Sequence, residues 1–175
     1  MKTKQLFRVL GVLTGVLTLV SVFILVSVLG GNAEAQLSKQ GKYRGMFGAR
    51  GAGTTHEIEK GHVFFVGAFS GVFFNDVANG FSDKSSVECP GVNDIVNGLS
   101  IGNHGYCIVT DKDGDKAFQV WKGKDTSPNV GGGDFQWTGG TGKYSGIKGN
   151  GTYRYTGISN TPAYSVVWEG EWQLP

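Results

Sequence analysis

An all-β fold, a closed antiparallel barrel of about eight strands behind an N-terminal signal or anchor helix, is what this sequence predicts. Three observations carry the prediction. Ala163 to Gln173 alternates with a period of two, placing Tyr164, Val166, Trp168 and Trp172 on one side and Ser165, Val167, Glu169 and Glu171 on the other. Two apolar runs, GYCIVT and AFQVWK, flank DKDGDK as a hairpin would. Thirty glycines punctuate runs of Phe, Trp, Tyr and Val, and no helical period follows residue 35.

The first 35 residues stand apart. Lys2, Lys4 and Arg8 precede an almost wholly apolar Val9 to Leu29, and Ala33-Glu34-Ala35 supplies the small-x-small pattern of a signal-peptidase site. The apolar run is on the order of 20 residues, long enough to span a bilayer if left uncut. Residues 1–35 are therefore a signal peptide or an uncleaved anchor, and residues 36–175 a single domain that is secreted, periplasmic or membrane-anchored. Without that segment 13 basic and 13 acidic residues remain. A neutral domain with scattered charge lacks the clustered Lys and Arg that hold phosphates, so nucleic acid is not an expected partner, and membrane contact is expected only through the N-terminal segment.

Lys42 to Gly51 reads as a first strand, broken at Gly51-Ala52-Gly53. His62 to Asp76 holds five phenylalanines with Gly67 and Gly71 between them, and reads as a strand buried on both faces. Residues 77–104 carry Asn79-Gly80, Pro90-Gly91 and Asn97-Gly98, turn signals with room for one short strand around Ser85 to Cys89. Tyr106 to Thr110 and Ala117 to Lys122 form the hairpin, with Ala117, Gln119 and Trp121 on one face. Gly131-Gly132-Gly133 marks the most flexible point of a loop over 123–134. Phe135 to Gly157 follows as strand, turn, short strand, turn and strand. The count is seven to nine strands.

Cys89 and Cys107 are the only cysteines, and in an exported domain their pairing is the preferred reading. A nucleophilic thiol would require an adjacent base; His104, three residues from Cys107, points to the opposite face of an extended chain. Asp111, Asp113 and Asp115 mimic the start of a calcium loop, but Lys116 and Lys122 occupy the positions of its glycine and its bidentate glutamate. GGTGK, residues 139–143, lacks the upstream glycine, the Ser or Thr and the helix of a phosphate loop. His56 and His62 share a face, yet no third metal ligand is identifiable, so no metal is expected. His62, Asp76 and Glu169 are the candidate catalytic groups, because they flank or interrupt apolar strands where burial would raise a carboxyl pKa.

The segments TDKDGDKAFQVW, GDFQWTGGTGKYSGIKGNGTY and WEGEWQLP resemble the allene oxide cyclase-like and dirigent-like barrels, particularly their exported bacterial members. The resemblance covers about residues 41–175. It implies eight antiparallel strands, a largely apolar cavity and frequent assembly as a homotrimer. Plant members cyclise an allene oxide fatty acid or steer phenolic radical coupling without a cofactor. Their catalytic residues do not align to this chain motif by motif, so the activity is not carried over.

The leading expectation is an exported barrel that holds a small hydrophobic or phenolic molecule among Phe64, Phe74, Trp121, Trp137, Tyr155, Trp168 and Trp172. The alternatives are a cofactor-free cyclase or isomerase and an envelope protein that acts through assembly.

Overall fold

The computed structural model describes residues 37–124, 127 and 129–175; the N-terminal segment expected to be a signal or anchor helix lies outside the described residues. Eight antiparallel strands close into a barrel in simple sequence order. They are β1 (Gln40–Glu59), β2 (His62–Asn75), β3 (Ser85–Val96), β4 (Leu99–Thr110), β5 (Lys116–Lys124), β6 (Val130–Gly140), β7 (Asn150–Gly157) and β8 (Ala163–Gln173). Closure comes from β1 pairing with β8, in a register running from Gln40 opposite Gln173 to Arg50 opposite Ala163.

Several strands differ from the sequence expectation. β1 runs unbroken through Gly51-Ala52-Gly53, because Gly53 lies opposite Gly67 of β2 and a Cβ on either would collide with the Phe65 ring. These glycines let an aromatic ring lie against the wall rather than ending the strand. The turn-rich stretch 85–110 holds two 12-residue strands, β3 and β4. Only Asn97-Gly98 turns there, with φ of 50° and 78°, the positive pair that a two-residue hairpin requires. Gly131, Gly132 and Gly133 belong to β6 and pair with Tyr155, Arg154 and Tyr153. β2 buries one face only: Phe73 is fully buried, whereas Val66, Val72 and Phe74 are exposed.

One end of the barrel is packed shut. Phe81, from the β2–β3 connection, stacks on Trp172 with ring centroids 4.9 Å apart and meets Trp137 and Tyr144 edge-on. Tyr144 belongs to a single 3-10 turn, Gly142–Tyr144, and with Ile147 it completes the plug. A second tier lies inside it, where Trp168 stacks on Phe73 at 5.4 Å and approaches Phe47 and Phe135 at 5.4 and 6.0 Å. Buried aromatic side chains of this size dominate a core's apolar area.

Candidate functional site

Above the second tier the barrel is hollow. A cavity of about 450 Å³ falls within the usual range for small-molecule sites. Phe47, Trp168 and Val166 form its floor, and Phe65, Phe69, Trp121, Tyr153, Tyr155 and Tyr164 its walls. Thr55, Asn93, Asn103 and Pro162 also line it. Thr55, Asn93 and Asn103 lie near the β1–β2 and β3–β4 hairpins, whereas Pro162 belongs to the β7–β8 loop.

Close approach of backbone and ring shapes the walls. The Trp121 ring lies over Gly91 of β3 and Gly105 of β4, where a Cβ would come within 2.4 and 2.7 Å of its Cζ2. Its indole N–H donates to the Tyr106 carbonyl at 3.2 Å, and Tyr153 meets the ring edge-on with centroids 6.1 Å apart. Tyr155 donates its hydroxyl to the Ser127 carbonyl at 2.6 Å. The Cys89–Cys107 disulfide, with Cα atoms 4.0 Å apart, crosses from β3 to β4 and also lines the cavity.

Among the described residues, the lining contains no Asp, Glu, His, Lys or Arg. Its titratable groups are the phenols of Tyr153, Tyr155 and Tyr164. Burial, reinforced by Tyr155 and Asp134, holds the Tyr153 phenol well above its ordinary range, so it stays a neutral hydroxyl at physiological pH. One fully buried amide, Gln119, reaches the cavity between Ala117 and Trp121 on the inward face of β5.

Among the residues expected from sequence, Trp121, Tyr155 and Trp168 line the cavity. Trp137 and Trp172 are buried in the plugged half instead. Phe64 and Phe74 do not line the cavity, and Phe74 is 49 % exposed. Strand parity explains the difference: Phe65, Phe69 and Phe73 share the inward face with Gly67 and Gly71, leaving the even-numbered residues outside.

The three catalytic candidates also stand off the cavity. Arg44 bridges Asp76 and Glu169 through 2.8 Å contacts to each, and all three side chains are at least half exposed. His62 places Nε2 2.6 Å from Asp94 Oδ1, in a β2–β3 pair of the outward parity. Flanking an apolar strand is thus not the same as entering its buried face.

Sequence reasoning missed Phe47, Phe65, Phe69, Tyr153, Tyr164 and Gln119. The signal was the parity of Gly67 and Gly71, since a narrow barrel places its smallest residues inside where rings crowd the lumen. No family model, curated protein or solved structure matches this chain. The all-β barrel and its cavity therefore define the class of the molecule, a hollow barrel closed at one end.

Proposed function

We propose that this protein is an exported barrel that binds a small hydrophobic or aromatic molecule, and that it is related to the allene oxide cyclase-like barrels its hairpins resemble. One observation carries the binding reading: a 450 Å³ cavity lined, among the described residues, by eight aromatic side chains and no charged one. Burial of apolar ligand surface against such walls is the main driving force available. The Cys89–Cys107 disulfide is consistent with an oxidising compartment.

A cofactor-free isomerase in the same cavity needs a group that moves a proton. Among the described residues the tyrosines are the only titratable groups lining it, which favours binding over turnover. The test is titration of the purified protein with N-phenyl-1-naphthylamine, an uncharged dye that brightens in apolar sites. Saturable one-to-one binding that Thr55→Trp weakens at the mouth is expected; no saturation at micromolar protein overturns the reading.

Assembly is favoured by a separate observation. Met46 and Phe74 lie opposite each other in the β1–β2 register, Val72 follows two residues along, and all three are exposed on the outer face. An apolar strip of this kind suits contact between copies. Light scattering should give the mass of a homotrimer, and a monomer at 50 micromolar would argue against it.

A further inference from the structure

We propose that the cavity's ligand is an uncharged ring compound bearing a hydroxyl group, and that Gln119 is the residue that receives this hydroxyl. The proposal rests on the binding reading and adds the ligand's polarity and its anchor.

Gln119 is 1 % exposed, yet its side-chain carbonyl oxygen accepts no hydrogen bond from the protein. Leaving a buried amide oxygen unpaired is costly, and an apolar residue of similar volume would avoid the cost. Its inward neighbours on β5 are Ala117 and Trp121, and its cross-strand partners are Cys107 and Trp137. None of those side chains donates to the amide oxygen, although the Trp137 indole N–H is itself buried without a partner among the described residues.

The backbone carries a second observation. Phe118 pairs with Gly139 and Gln119 with Trp137, so Thr138 is an extra residue on β6 and the ladder is bulged at Gln119. A bulge re-aims the side chains beside it and is enriched next to binding sites. Here it falls at the fully buried polar side chain of the cavity lining.

Tyr153 supplies the other half of the recognition. Its hydroxyl is buried, unpartnered within the protein and part of the lining. A hydroxyl both donates and accepts, so it can satisfy the Gln119 carbonyl and receive from a phenol. A carboxylate or ammonium would enter a low-dielectric space with no counter-charge among the described lining residues and is rejected. An ether or hydrocarbon fills the same volume but leaves the Gln119 oxygen unpaired.

The test uses the full chain, expressed in an exporting host and purified as the host delivers it, with 1-hydroxypyrene, 1-methoxypyrene and 1-pyrenecarboxylate as fluorescent probes at pH 7. Hydroxypyrene is expected to bind about three- to tenfold tighter than methoxypyrene, the range for one net hydrogen bond, and the carboxylate weakest. Gln119→Met should abolish the preference for hydroxypyrene, the ratio of the hydroxypyrene to the methoxypyrene affinity falling to about one. Equal affinity of the hydroxyl and methoxy probes, or a preference retained in Gln119→Met, overturns the proposal and leaves the apolar-binding reading intact. Tightest binding of the carboxylate also overturns it. Failure of all three probes to saturate overturns both. If Gln119→Met does not fold, the preference of the unsubstituted protein for hydroxypyrene over methoxypyrene decides alone.

Discussion

The Lys143 ammonium lies 2.6 Å from Oδ2 of Asp111, a carboxylate whose side chain is 6 % exposed. A second 2.6 Å contact reaches Asp113, and Asp111 Oδ1 accepts from the backbone N–H groups of Asp113 and Asp115. The β4–β5 turn and the GGTGK turn are thereby clamped together over the plugged end. Burial acts to raise the Asp111 pKa, but the Lys143 contact and the backbone donor outweigh it and the carboxyl is held below its ordinary value.

That depression fixes a sign. A carboxyl held low contributes its stabilisation fully above its unfolded value of about 4, and loses it as pH falls through the lower folded value. Asp111→Asn should therefore cost about 1–3 kcal/mol at pH 7. The melting temperatures of variant and wild type should converge below about pH 3, measured by circular dichroism from pH 7 to pH 2. A gap that stays constant to pH 2 would show that Asp111 acts through shape rather than charge.

The disulfide gives a second prediction. Its 18-residue separation corresponds to about 3 kcal/mol by chain entropy. Reduction, or the double substitution Cys89→Ser with Cys107→Ser, should lower the guanidinium midpoint accordingly while the far-ultraviolet spectrum of the barrel persists. Loss of all β signal on reduction at 25 °C would mean that the bridge supports the fold more than loop closure accounts for.

Gly91→Ala tests how the cavity wall is built. The new Cβ would meet Trp121 at 2.4 Å and the His104 carbonyl at 2.8 Å, so the indole must move into the cavity, at about 1–3 kcal/mol. Dye affinity should fall at least fivefold, with a change in the near-ultraviolet tryptophan spectrum. Unaltered affinity would place the ligand away from this wall.

Asp76→Asn and Glu169→Gln probe the outer face. Both carboxylates are half exposed and bound to Arg44, and exposed pairs of this kind contribute little to stability. Each variant should retain dye affinity within twofold in the same titration. A larger change in either would connect the outer ion-pair network to the lumen.

Much of the architecture is legible in the chain, because period-two alternation in β8 and the hairpin of β4 and β5 depend on local spacing alone. Strand limits were less legible. Glycine has two opposite uses here: Gly98 makes a turn by its positive φ, whereas Gly53 and Gly91 stay in strands and make room for a ring. Composition cannot separate these uses, since the difference lies in which aromatic crosses from a neighbouring strand. The same holds for the site. Trp121 and Trp168 were recognisable by size and parity, but Phe64 and Phe65 are adjacent and identical, and only the inward parity of Gly67 tells them apart. Gln119 shares a face with Ala117 and Trp121 in the sequence, and it is burial and the bulge at Thr138 that set it apart.

The pairing of β1 with β8 leaves the ring of strands without a first or last member. An open sheet can fray from an unpaired edge, where amide protons exchange with solvent at low free-energy cost. Here each strand is held by two ladders, so detaching any one of them breaks both at once. The amides near mid-strand in β1 and β8 should accordingly exchange as slowly as those of β4, although they adjoin the ends of the barrel chain. Access to the lumen then depends on movement of the hairpins and loops at its mouth, while the staves around it remain zipped.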